Sequence, residues 1–228
     1  MSIEMYLAER EDPGLDAAFQ ERIWEEFGWQ SGLDASHLSV DVTDRIATLG
    51  GTVGSYPQIL EAERAARRVV GVEAVHNLIK VGLPPEAQRS DEEIAAEVRQ
   101  VLAANGRVPH CGVEVTVGGG RVYLAGAVTS GRDRRAVEEA IEVLVGVRGI
   151  DNLIAVEPGT RPARLTERVD EALHRDPALR GDRISVDVLE DVVVLGGRVH
   201  SLAERDEADR TAWLPGVRAV SDRLEIHA

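Results

Sequence analysis

Apolar residues along this chain follow two spacings, one of four and one of two, and the pair of spacings recurs three times. Phe19, Ile23 and Phe27 stand at i, i+4 and i+8, as do Ile94, Val98 and Leu102, and Leu165, Val169 and Leu173. Each set is one stripe of an amphipathic helix. The last member of each set lies 13 residues before Val40, Val115 or Val186. There the spacing changes to alternation, as in Val40/Val42 and Val186/Val188, which predicts strands of a sheet with one buried face. Thr43-Asp44-Arg45, Gly118-Gly119-Gly120 and Leu189-Glu190-Asp191 then suit hairpin turns between two such strands.

The three copies align at offsets of 75 and then 71 residues, with one residue lost in the third copy around Trp213 to Pro215. Leu49-Gly50-Gly51-Thr52-Val53 corresponds to Leu124-Ala125-Gly126-Ala127-Val128 and to Leu195-Gly196-Gly197-Arg198-Val199. Ser55, Ser130 and Ser201 share a column before a second helical stretch, where a serine accepts a hydrogen bond from a free N–H of the first turn. Gly71, Gly146 and Gly216 stand where that helix should end. A closing strand follows over Ala74 to Val81, Gly149 to Val156 and Ala219 to Ile226, with one polar column inside it, Asn77, Asn152 and Asp222. The pattern predicts an α+β protein of three tandem αββαβ modules, 13–82, 88–157 and 162–228. Each would be a three-stranded mixed sheet covered on one face by two helices. The connectors, Gly82 to Glu86 and Pro158 to Pro162, are short and rich in Pro and Gly.

Composition narrows the function. Aromatics are 4% of the 228 residues, so aliphatic side chains must fill the cores, which favours several small cores over one large one. Net charge is −14, and Lys80 is the one lysine among the 26 basic residues. Divided at 85/86 and 160/161, every third of the chain is net acidic, which argues against nucleic-acid and anionic-lipid partners. The lone Cys111 excludes an intramolecular disulfide. Met1 to Asp12 has neither the basic nor the apolar region of an export signal, and no apolar run approaches the roughly 20 residues of a membrane span, so a cytoplasmic location is expected.

The Leu-x-Gly-x-Val segment and the closing stretch Gly71-Val72-Glu73-Ala74-Val75-His76-Asn77-Leu78-Ile79-Lys80-Val81 resemble the BON domain, named for bacterial osmotically inducible and nodulation proteins. Gly146 to Val156 fits with Ile150 for the second valine, and Gly216 to Ile226 fits with Asp222 for Asn and Arg223 for Leu. The resemblance covers nearly the whole chain after its first dozen residues. It implies a binding module rather than an enzyme, linked to stress, with proteins, potassium ions or phospholipid membranes as the partners proposed for the family. Most well-known members are periplasmic or lipid-anchored, which the missing export signal here does not match.

No nucleophile elbow, zinc-protease motif or dinucleotide fingerprint occurs, and His37, His76, His110, His174, His200 and His227 share no column and show no metal-ligand spacing. No catalytic residue and no cofactor site is therefore expected. Gly51, Gly126 and Gly197, just past the second strand, either admit a ligand or serve close packing and a positive φ, the plainer alternative. Gly118 to Gly120 could cradle an anion but lacks the residues of a phosphate loop. Asn77, Asn152 and Asp222 are candidates for holding a cation such as potassium, or else satisfy a backbone group at a turn. The many Asp and Glu residues read as solvated helix faces. Module 1 alone carries Trp24 and Trp29 beside its helical stripe. They are candidate anchors for a protein partner, or they cover a seam between modules or pack on the N-terminal segment. The expectation is a non-enzymatic cytoplasmic binding or adaptor protein, with a potassium-responsive binder and a phospholipid-associated protein as alternatives.

Overall fold

The computed structural model describes residues 13–84, 87–105, 112–157, 164–179 and 184–227. His110, Cys111, the second connector and part of the first lie outside them. Module 1 runs α1 (Pro13–Gly28), β1 (Leu38–Thr43), β2 (Ile46–Val53), α2 (Tyr56–Arg68), β3 (Ala74–Asn77) and β4 (Lys80–Val81). Module 2 runs α3 (Asp91–Ala104), β5 (Val113–Gly118), β6 (Arg121–Val128), α4 (Gly131–Ile141) and β7 (Gly149–Val156). Module 3 repeats the order with α5 (Leu165–Arg175), β8 (Ile184–Leu189), β9 (Val192–Val199), α6 (Leu202–Ala212) and β10 (Ala219–Ile226).

The strands form three separate sheets. In each, the second strand is central, antiparallel to the first across the hairpin and parallel to the closing strand. A parallel neighbour requires a crossover, which the second helix supplies. The expected closing strand of module 1 is interrupted: Leu49 pairs with Asn77 and Thr52 with Lys80, with the same number of residues between on both sides. Pairing lapses there without a change of register.

The three helical stripes are buried, Ile23 and Val169 completely, and they cover sheet faces carrying Leu49, Leu124 and Leu195. Two positions depart from the sequence reading. Ser130 and Ser201 accept from the N–H groups of Asp133 and Glu204, whereas the Ser55 side chain makes no cap. Gln58 Oε1 accepts from the Gly54 N–H at 3.0 Å, as Glu204 accepts from the His200 N–H at 2.7 Å in module 3, so module 1 keeps this bond without the serine cap. Gly71, Gly146 and Gly216 also stand later than a helix cap, in the following turn, with φ of 95°, 96° and 99°. The helices have already ended at Arg68, Ile141 and Ala212.

Gly51, Gly126 and Gly197 belong to the central strands rather than lying past them, with φ of 105°, 128° and 110°. A Cβ at Gly51 would overlap the His37 carbonyl oxygen, and one at Gly126 the Gly112 carbonyl oxygen. Backbone approaches backbone at this point, so only glycine fits.

Candidate functional site

The polar column of the closing strands is a clasp between sheet and second helix. Asn77 Nδ2 donates to the Glu63 carboxylate at 3.1 Å and to the Ile59 carbonyl at 3.4 Å, while its Oδ1 accepts from the Ile79 N–H at 3.1 Å. Asn152 does the same with Glu138 and the Arg134 carbonyl, both at 3.1 Å, and with the Ile154 N–H at 3.3 Å. In module 3 the column carries Asp222. Its Oδ1 still accepts from the amide two residues on, Leu224, at 2.8 Å, but its Oδ2 accepts from Arg205 Nε at 2.5 Å. Arg205 occupies the column of Ile59 and Arg134. Asn77, Asn152 and Asp222 thus lie one per module at equivalent places, each tied to the second helix of its own module.

A second clasp involves residues that the sequence reading did not single out. Asp16 accepts from the Asp44 and Arg45 N–H groups at 3.0 and 3.1 Å, and Asp91, in the same column, accepts from Gly119 and Gly120, both at 2.8 Å. The two glycine amides hold the Asp91 carboxyl below its ordinary carboxylate range. The amides of the glycine hairpin, considered above as an anion cradle, are therefore filled by the protein's own carboxylate.

The second helices do more than cover their own sheets. Helices α2, α4 and α6 converge on a cavity of about 770 Å³, lined by seven carboxylates and four guanidinium groups, to which all three modules contribute. One repeated column, Glu63, Glu138 and Asp209, faces it. Helix-face carboxylates taken above as solvated thus line a shared open cleft, in which Asp206 and Asp209 keep 45% and 37% of their side chains exposed. Ion pairs run between modules: Arg64 to Glu142 at 3.9 Å, Arg135 to Asp209 at 3.9 Å and Arg67 to Asp206 at 3.2 Å. They join module 1 to 2, 2 to 3 and 3 to 1, a closed ring of contacts.

Burial outweighs the arginines. It pushes the carboxyls of Glu142, Asp206 and Asp209 up from the ordinary range, with Arg64, Arg67 and the Trp213 N–H bond, respectively, only partly offsetting it. Burial and the nearby Glu138, Glu142 and Glu63 also raise the Tyr56 phenol, and burial lowers Arg135. Among the described residues, no three His, Cys, Asp or Glu side chains converge to hold a metal ion.

Apolar contacts reinforce the ring. A Cβ on Gly131, at the start of α4, would fall inside the Trp213 indole, and the Arg134 guanidinium lies 4.8 Å over the same ring. Trp213 was notable in the sequence only for the residue lost beside it, yet it is the tryptophan that closes a seam. The N-terminal segment on which Trp24 and Trp29 could pack, residues 1–12, lies outside the described residues. Trp24 stands edge-on to Phe27, with centroids 5.5 Å apart, and is 37% exposed, while Trp29 is 82% exposed. Among the described residues, no helix is long and apolar enough to cross a membrane.

Comparison with known proteins fits this architecture. The BON domain family model matches residues 15–82, 90–158 and 163–228. Osmotically-inducible protein Y of Escherichia coli (strain K12) is 28% identical over 124 residues, covering 53% of this chain and 62% of that protein. The chain thus spans less than two thirds of that relative's length. Among solved structures, CdsD, a structural protein of the type III secretion system of Chlamydia trachomatis, is 13% identical over 91% of both chains, with a TM-score of 0.25. The PrgH periplasmic domain is 10% identical over 84% of this chain and 95% of that one, with a TM-score of 0.22. Similarity at that level carries no argument here.

Proposed function

Because the chain belongs to the BON domain family along nearly its whole length, we propose that it is a non-enzymatic, stress-related adaptor that presents module 1 to a protein partner. The name of its osmotically inducible relative motivates the link to stress. One observation carries the adaptor reading: the repeated polar groups are engaged as fasteners of the frame, whereas Trp29 of module 1 is 82% exposed. Large aromatic side chains held on a rigid frame are the residues that dominate protein interfaces. No specific observation favours the potassium or phospholipid readings. Asn77 and Asn152 each spend their amide oxygen on a main-chain N–H, and the net charge of −14 works against anionic headgroups.

The test is quantitative capture from extracts of osmotically stressed and unstressed cells, with the intact chain and Trp24→Ala/Trp29→Ala as baits. The expected result is a partner enriched under stress and lost with the double variant. Identical capture by both baits would refute the assignment of the tryptophans. Fractionation of the same cells tests the cytoplasmic location that belongs to this proposal.

A further inference from the structure

The first helices of modules 1 and 3 share two acidic columns but not their basic partners. In α5, His174 Nδ1 lies 3.6 Å from Asp170 and Arg175 Nη2 lies 2.7 Å from Glu171, so the last turn supplies its own counterparts. In module 1 the columns of His174 and Arg175 hold Gly28 and Trp29, and that of Asp170 holds Trp24. Glu25 keeps the column of Glu171, and Glu21 keeps that of Glu167. Module 1 thus retains both glutamates without the two basic groups. Module 2 has Ala96 and Gln100 in the glutamate columns and needs no such groups.

The rest of the module does not make up the difference. Helix α1 has no basic residue in its last turn. Arg22 lies over the Phe19 ring at 5.0 Å, and Arg68 is engaged by Glu26 at 2.9 Å. Among the described residues, neither Glu21 nor Glu25 forms an ion pair. The partial negative charge at the C-terminal end of a helix adds to that of Glu25. Glu21 and Trp24 are neighbours three apart on the helix surface, and Glu25 stands four residues before Trp29. All four side chains are exposed, and a Cβ on Gly28 would meet nothing within 4 Å. The face is open to a partner.

We propose that this face of α1 binds an arginine-bearing apolar segment of a protein partner, which brings the cations that α5 carries itself. The proposal rests on the adaptor reading above and adds the chemistry of the partner. The segment's apolar side chains cover the indoles of Trp24 and Trp29, while its guanidinium groups pair with Glu21 and Glu25 or stack on an indole. Arginine suits both contacts, because its planar group matches a carboxylate edge and an aromatic face alike. An acidic segment meets repulsion from the same glutamates.

The experiment is fluorescence anisotropy of a labelled synthetic peptide alternating arginine and leucine, titrated with the full chain. Binding is expected, and it should weaken as salt is added. Trp24→Ala/Trp29→Ala should reduce affinity about tenfold or more. Glu21→Gln/Glu25→Gln should reduce it about three- to tenfold. Gly28→Lys keeps both tryptophans, places a cation beside the glutamates and should weaken binding as well. The control is Glu167→Gln/Glu171→Gln, which removes the same charge from the same columns of module 3 and should leave affinity unchanged. Equal weakening by the two glutamine pairs would reveal general attraction of a basic peptide to an acidic chain and overturns the proposal. So does full affinity in the tryptophan variant, or equal binding of a peptide with glutamate in place of arginine. The capture experiment above separates this inference from the reading beneath it. A partner lost with the tryptophan variant but held fully by Glu21→Gln/Glu25→Gln leaves the adaptor standing and removes its arginine-bearing ligand. A partner held by the tryptophan variant removes both.

Discussion

Modules 1 and 3 solve one problem with different chemistry. In module 1 the closing strand is tied to the second helix by a neutral amide, Asn77, which donates to Glu63 and the Ile59 carbonyl. In module 3 the tie is an ion pair, Asp222 with Arg205. The hydrogen-bond role toward the helix is reversed: Asp222 accepts where Asn77 donates. The reason lies outside the clasp. The residue equivalent to Glu63 is Asp209, and its carboxylate is engaged by the Trp213 indole N–H at 3.3 Å and by Arg135 of module 2 at 3.9 Å. With that acceptor drawn into the seam, the strand residue needs a new partner, and Arg205 supplies it.

Module 2 shows that an arginine in this column is not sufficient. Arg134 aligns with Arg205, but its guanidinium stacks on Trp213 while its carbonyl serves Asn152. A single tryptophan thus redirects two neighbouring columns. The comparison teaches that each departure in a repeated column has to be read together with its contacts across the seam.

The largest expected effect comes from removing that tryptophan. Trp213 is 8% exposed and fills the space against Gly131. Trp213→Ala should cost about 3–5 kcal/mol of unfolding free energy, in the range of buried aromatic truncations. Urea unfolding followed by circular dichroism measures it. A loss below about 1 kcal/mol would mean that the seam between modules 2 and 3 does not hold the chain together.

The next effect isolates the inverted clasp. Arg205→Ile restores the residue of module 1 at that column but leaves the Asp222 carboxylate without its guanidinium. The side chains are 34% and 23% exposed, so solvent screens part of the interaction. A cost of about 1–2 kcal/mol is expected, above that of an exposed surface pair and below that of a fully buried one. The same urea titration reads it, and an unchanged midpoint would show that the ion pair contributes nothing beyond geometry.

Much of this fold was legible because its causes are local. Phe19, Ile23 and Phe27 declare a helix by spacing alone, and Val40/Val42 declare a strand face. The BON-like closing pattern placed Asn77 and Asn152 in equivalent positions before any geometry was known. Their partners were harder to read, since Glu63 and Glu138 lie 14 residues upstream on another element. The repeated column Glu63, Glu138 and Asp209 was nonetheless present in the sequence, 14 residues before the Asn/Asp column in modules 1 and 2 and 13 before it in module 3, where one residue is lost. The central cavity was not legible, because helix-face carboxylates look the same in sequence whether they meet bulk water or one another. Trp213 escaped for the same reason: a seam is a relation between modules, and hydrophobic periodicity reports only on the module that carries it.

The smallest expected effect is also the most discriminating. Arg205→Ile combined with Asp222→Asn rebuilds the chemistry of module 1 inside module 3. The new amide could donate to the residue 205 carbonyl, as Asn77 donates to that of Ile59. It would gain less from Asp209, which is one methylene shorter than Glu63 and already engaged with Trp213. The double variant should therefore be more stable than Arg205→Ile alone by about 0.5–1 kcal/mol, yet remain below the unmodified chain. Equal losses in the single and double variants would separate the two columns energetically. The inversion would then be a coincidence of drift instead of a consequence of the seam.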